Sequence, residues 1–430
     1  MKSKYLNQKE SAARGFLAAY FMTPARTLRV FLPFAFGFYL SFLYRSVNAV
    51  ISPDLIKDIG VDAANLGLLT SAYFIAFASS QVPLGIILDR IGSRKVEASL
   101  LIFAALGAVV FAISDSLVNL IIGRALIGFG VSACLMAAFK AFVDWFPKER
   151  IPLANGAIMM FGGLGAMTAT APIEFALQFS DWRGIFFGFA AVTLIASLAI
   201  YFIVPERPAE KKQPGDATLK DQIQGLLDII KNPLFLRYVP ISVVSQGVML
   251  SIQSLWLGPW LRDVGGLSRI ETANGLFAMA IAMACGFLSW GVIGERLGRF
   301  GISPMKISLC GMAVFSAILI VILFEPVGFL FPILILFGFF GTSGSLSYAG
   351  IVQHFPAHLS GRVYTTANLL VFVTAFTAQW GIGLIINIWP QTAPGQFSAL
   401  GYQVAFATVL CLQLSCFAWV WIAKLVWRQK

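Results

Sequence analysis

Arg45 stands inside an apolar run from Val30 to Ile51 that carries no acid. A guanidinium there offers five donors in a planar fork, which matches the oxygen pair of a carboxylate or phosphate. Ser41, Arg45, Asn48 and Ser52 fall at i, i+4, i+7 and i+11, which predicts one polar stripe on an otherwise apolar helix. In a later run Ser242, Gln246 and Gln253 sit at i, i+4 and i+11 and add neutral hydrogen-bonding groups on one face. One fixed cation with several neutral donors predicts a site for a monoanionic or zwitterionic organic solute. The other reading of Arg45 is a structural ion pair.

Two further cations lie inside apolar runs. They are Arg124 and Lys140, and Lys140, four residues before Asp144, predicts a local ion pair. The acids able to take a coupling proton are Glu174, after Pro172, and Asp54, nearer a run's end; both also read as structural acids of the outer face. Enzymatic chemistry finds no support: the chain has no phosphate-binding loop, two-histidine zinc motif or nucleophile elbow. Its five cysteines lie in apolar runs without metal-ligand spacing. No cofactor and no metal are expected.

The elements that position these residues follow from composition. Hydrophobic residues make up 58% and charged residues 12% of the chain, far from the roughly 25% charged of a soluble domain. Twelve apolar runs are long enough to cross a bilayer core. In that solvent they must be helices, because backbone polar groups need partners within their own segment. Most of the 31 Lys and Arg fall on one side if both termini are cytoplasmic, leaving Lys57, Arg183, Arg262 and Arg269 outside. That bias accounts for the net charge of +11 without nucleic acid. The expected organisation is a cytoplasmic segment over 1–29, a six-helix bundle over 30–204, a cytoplasmic linker with an amphipathic helix over 205–237, and a second six-helix bundle with a short tail over 238–430.

The second bundle repeats the first. Gly85, Asp89, Arg90, Gly92, Arg94 and Lys95 recur as Gly291, Glu295, Arg296, Gly298 and Arg299 between the corresponding runs. Pro53 with Lys57, Asp58 and Gly60 recurs as Pro259 with Arg262, Asp263 and Gly265, and Phe146-Pro147 recurs as Phe355-Pro356. Parallel repeats of this kind are related by an axis along the membrane normal.

On these strings, and on Arg124 followed by Gly128 and Gly130, the chain resembles the major facilitator superfamily over nearly its whole length. The resemblance implies an all-α membrane protein of twelve transmembrane helices in two pseudo-symmetric bundles, in an inner or plasma membrane. It further implies a monomeric secondary transporter that moves a small-molecule substrate by alternating access, with a coupling proton. Leu43, Tyr44, Arg45 and Asn48 resemble helix one of the organic-anion branches. The organophosphate antiporters place a second arginine in helix seven, where this chain has Ser251. Binding is therefore expected at Ser41, Arg45, Asn48, Gln246, Ser251 and Gln253. The alternatives are an exporter of a larger amphiphilic compound or drug, and a transporter-like sensor.

The loop motif has its own physics. Gly85 is expected to end a helix where a side chain would hold a neighbour away, Asp89 to meet a helix N-terminus, and Arg90, Arg94 and Lys95 to form charge-assisted pairs at the cytoplasmic face. The resemblance implies Arg124, which matches the family's helix-four arginine, as a coupling residue and Asp144 as the partner of these loop charges. Glu295 and Arg296 are their counterparts in this gating role. Asp89→Asn should slow flux with expression intact; unchanged flux in a transport assay would remove Asp89 from gating.

Overall fold

The computed structural model describes residues 24–147, 150–206, 219–324, 327–356 and 359–427. The N-terminal residues up to 23, linker residues 207–218 and the last residues 428–430 lie outside them, and with them most of the predicted N-terminal segment. Among the described residues there is no β-strand, only an isolated bridge between Ala393 and Gln396.

In the first half α1 (Pro24–Ser46) and α2 (Asn48–Ile59) form span one, followed by α3 (Ala63–Ile91) and α4 (Ser93–Ala112). Then come α5 (Leu117–Gly130) with α6 (Cys134–Trp145), α7 (Ile151–Thr168) with the short α8 (Ala171–Ala176), and α9 (Trp182–Ile203). The linker holds α10 (Leu219–Ile230). The second half has α11 (Pro233–Ser251) continued by α12 (Leu257–Asp263), α13 (Arg269–Gly298) and α14 (Pro304–Leu323). It ends with α15 (Leu330–Gly341) and α16 (Ser345–Val352), α17 (Ser360–Ile386) and α18 (Ala399–Trp427). Among the described residues eleven helical spans are long and apolar enough to cross a membrane, and the shorter Leu153–Thr168 holds the fifth position. That helix stops short because the chain bends at Thr170 and Pro172 restarts it as α8.

Four spans are interrupted at matching places. Span one breaks at Val47, span four between Gly130 and Cys134, and span ten at the 3-10 turn Thr342–Gly344. Span seven passes through one π-helical stretch, Ile252–Trp256. These are the first and fourth spans of each half. Irregular backbone at such depth is tolerated where it lines a cavity or is enclosed by protein.

Gly85 lies inside α3 and does not end it, contrary to expectation; the helix runs on to Ile91 and terminates at Gly92, whose φ of 91° is one that L side chains rarely adopt. The halves meet where α3 runs along α17 and α7 along α13. Glycine sets the closest approach inside the first half: a Cβ on Gly128 of α5 would collide with the Tyr73 carbonyl of α3. Gly128→Val should lower stability by about 1–3 kcal/mol through overpacking. Thermal unfolding in detergent checks this against Gly188→Val, where a Cβ meets nothing within 4 Å. Equal midpoints would show that the contact relaxes without cost.

Candidate functional site

The four interruptions surround a cavity of about 650 Å³, within the range typical of small-molecule sites. Arg45 of span one, Ser132 of span four, Gln253 of the π-helical stretch and Thr342 of span ten all line it. From there the lining continues to Gly156 and Gly361, near the starts of α7 and α17, which are exposed on the face that carries the loop motif.

Arg45 has aromatic neighbours instead of acidic ones. Its guanidinium carbon lies 4.4 Å from the Phe42 ring centroid, 5.2 Å from Phe372, 5.8 Å from Phe77 and 6.0 Å from Tyr73. These rings attract the cation without neutralising it. Its Nε is buried without a hydrogen-bond partner, and among the described residues no carboxylate forms an ion pair with it. Tyr73 is itself fixed, since its hydroxyl donates to the Ser41 carbonyl at 3.1 Å and lies 3.3 Å from Ser41 Oγ.

Of the six predicted binding residues, Ser41, Arg45, Gln246 and Gln253 line the cavity. Asn48 and Ser251 do not. Gln253 Nε2 donates to Ser46 Oγ at 3.1 Å and closes the cavity there, one step before Asn48, which is buried with its Oδ1 unpartnered. Ser251 is fully buried and its hydroxyl donates to the Val248 carbonyl of its own helix at 2.9 Å. Sequence reasoning missed the opposite wall, where Tyr348 donates to Asn368 Oδ1 at 3.4 Å and stands over Tyr364 with ring centroids 4.6 Å apart. The signal was present: Tyr364, Asn368 and Phe372 fall at i, i+4 and i+8. Gln81, also in the lining, reaches across to the Ser132 carbonyl at 3.3 Å.

Arg124 lies away from this space. It is fully buried against Phe111 and Phe186, and its Nη1 donates to the Tyr44 carbonyl at 2.8 Å. Tyr44 Oη in turn sits 2.9 Å from Thr193 Oγ1, tying span one to α9.

At the end of the molecule opposite the loop motif, Asp54 and Glu174 meet on one arginine. A capping box of Ser268 and Glu271 fixes the start of α13 and with it Arg269. Arg269 donates to both oxygens of Asp54 at 2.7 and 2.9 Å and to both of Glu174 at 3.0 and 3.2 Å. Beside it Arg262 donates to Ser52 Oγ at 3.1 Å. These bonds join the second half to the first and shut that end.

The loop motif is built differently from expectation. Asp89 binds Lys140 Nζ at 2.7 Å instead of a helix N-terminus, so Lys140 ties α6 to α3 rather than pairing locally with Asp144. Arg94 donates to the Val204 carbonyl at 3.1 Å, and Lys95 lies 2.6 Å from Glu206. The Lys95 hydrogen bond and charge, with that of Arg94, hold Glu206 below the usual carboxylate range. Asp144 is half-buried in the last turn of α6, and Arg90 and Arg296 are exposed. In the second half Glu295 pairs, among the described residues, with Arg299 at the C-terminal cap of α13, at 2.6 Å. All these ties stay within one half.

A family model of the Major Facilitator Superfamily matches residues 34–379. A probable sulfoacetate transporter of Cupriavidus necator is 24% identical over 271 residues, 61% of this chain and 61% of that protein. The hexuronate transporter of Escherichia coli K12 is 25% identical over 180 residues, 42% of this chain and 41% of that protein. Both relatives are matched over less than two thirds of their own length. The crystal structure of a bacterial homolog of the human lysosomal transporter Spinster, inward-facing and unoccupied, superposes with a TM-score of 0.75 at 17% identity, covering 94% of this chain and 98% of that one.

Arg269→Ala should open the closed end. Thr272, buried beside Arg269, becomes the reporter when changed to cysteine in a background with the native cysteines replaced. Thr272→Cys should resist a membrane-impermeant maleimide in the parent and react at least about tenfold faster with Arg269→Ala, a shift of ~1.4 kcal/mol in the opening equilibrium. Equal rates would show that the ion pairs do not hold that end shut.

Proposed function

The chain belongs to the Major Facilitator Superfamily, and from that premise we propose that it moves a small organic anion across the membrane by alternating access, coupled to a proton. The observation that carries the reading is Arg45, a cation in a cavity of about 650 Å³ with no acidic partner among the described residues. An intramembrane charge costs about 2.5–3.5 kcal/mol on insertion scales, so an unpaired one marks a ligand's place. A carboxylate or sulfonate neutralises it, while Gln246, Gln253, Tyr348, Tyr364 and Asn368 offer neutral groups to the rest of the solute. The two transporters it resembles are named for a sulfonated carboxylate and for hexuronates, which supports an anion of this size.

Charge bias places the loop-motif face in the cytoplasm. The conformation described is then inward-facing: the cavity reaches that face, and Arg269 with Asp54 and Glu174 closes the outer one. Transport requires those bonds to break and the loop-motif face to close. The methionines Met136, Met159, Met249 and Met283 in the lining favour a second reading, export of a larger amphiphilic compound, because thioethers adapt to varied apolar shapes.

Thermal-shift binding over sulfoacetate, galacturonate, glucuronate, amino acids, neutral sugars and amphiphilic cations separates the two. A carboxylate or sulfonate should stabilise the wild type. Arg45→Lys should weaken that ligand through loss of the bidentate fork, and Arg45→Ala should weaken it by at least about tenfold. Wild-type affinity in Arg45→Ala, or stabilisation by amphiphilic cations alone, would overturn the anion reading.

A further inference from the structure

We propose that Glu97 is a proton-binding site, a carboxylic acid that holds its proton in the conformation described and releases it when span one moves. Glu97 is in the early part of α4, immediately after the basic residues of the loop motif. Its side chain turns inward: it is fully buried, and neither carboxylate oxygen has an N–H or O–H hydrogen-bond partner among the described residues.

The groups that face it from each neighbouring element are few. From α1 comes Gly37, where a Cβ would meet Glu97 Oε1, so the acid lies against the bare backbone of that helix. From α6 comes the buried Cys134 thiol, a weak donor. From α9 comes Ser197, whose hydroxyl is committed to the Ala98 carbonyl at 2.7 Å. Of the nearby cations, Arg94 and Lys95 are engaged with Glu206 and Lys140 with Asp89, while Arg45, whose charge reaches the Cys134 thiol, stays among its aromatic rings and forms no ion pair with Glu97 among the described residues. An ionised carboxylate enclosed in this way would be a buried charge without compensation, which proteins avoid by keeping the group neutral.

The place of Glu97 links that proton to the solute. Gly37, Ser41 and Arg45 fall at i, i+4 and i+8 along α1, so one helix carries both the cover of the acid and the cation of the cavity. Phe38 and Ser41, one residue and one turn beyond that cover, line the cavity. A shift of α1 that rearranges the anion site therefore also uncovers Glu97 to cavity water. The O–H bond of the acid then breaks, its proton passes to water, and the carboxylate stays solvated until it is protonated again. Glu97 thus supplies a titratable group that neither Glu174 nor Asp54 provides while both are held by Arg269. The link to transport rests on the anion-transport reading; the proton site itself does not.

Infrared spectroscopy of the purified full chain in lipid nanodiscs tests the proton site directly. The wild type at neutral pH should show the carbonyl stretch of a protonated carboxylic acid, moving to lower frequency in deuterated buffer, and Glu97→Gln should lose that band. A band equally strong in Glu97→Gln, or no band in the wild type, overturns the proposal. For the coupling role, proteoliposomes with labelled galacturonate as the probe should accumulate it under an inward-directed proton gradient. Glu97→Gln should keep exchange but fall to equilibration; accumulation that remains gradient-driven overturns the coupling role. If the wild type exchanges no galacturonate, the failure belongs to the substrate reading, and the infrared result still decides whether Glu97 holds a proton.

Discussion

An arginine within or at the end of a membrane helix must be answered by something, and this fold answers three of them in three ways. Arg269 is neutralised by two carboxylates. Arg124 is enclosed, with one backbone carbonyl and two aromatic faces. Arg45 alone is in the central cavity, held by aromatic rings. Cation–π contacts are worth about 0.5–2 kcal/mol each, depending on desolvation, enough to orient the guanidinium but not to cancel its charge. In the proposed function an anionic solute completes the set, at a cavity bordered by the breaks in spans one, four, seven and ten.

The distribution of bonds explains how such a site can change sides. At the loop-motif face Lys140 with Asp89 links two helices of the first half, and Lys95 with Glu206 ties the chain just past α9 to α4. Across the halves, the charged and polar ties lie deeper and toward the other end: Gln253 with Ser46, Arg262 with Ser52, and Arg269 with Asp54 and Glu174. On the alternating-access proposal, breaking this second group releases one half from the other, while the first group preserves the geometry around Arg45.

The spans, the duplication and the stripe through Ser41 and Arg45 could be read from sequence because hydrophobic periodicity and spacing are local properties. The interruptions could not, since a π-helical stretch or a bend at Val47 arises from tertiary packing of side chains that look ordinary in order. Glu97 was hidden by its neighbours: next to Arg94 and Lys95, at the edge of an apolar run, it resembles one more loop charge. Only the helix start at Ser93 and the gap at Gly37 turn it inward. Asp54 and Glu174 were recognisable as unusual acids, but their shared partner Arg269 is far away in sequence and belongs to the other half. The counterpart pair Glu295 and Arg299 shows the converse, a repeated motif that keeps its residues and changes their connections.

The central claim is that an anion bound at Arg45 is carried across the membrane rather than merely held. Counterflow in proteoliposomes measures that step without a driving gradient. Vesicles preloaded with the unlabelled organic anion that gives the largest thermal shift are diluted into trace labelled anion. The account predicts a transient, saturable accumulation of label above equilibrium. Tight binding to the same protein with no exchange of label would contradict it and make the chain a solute sensor.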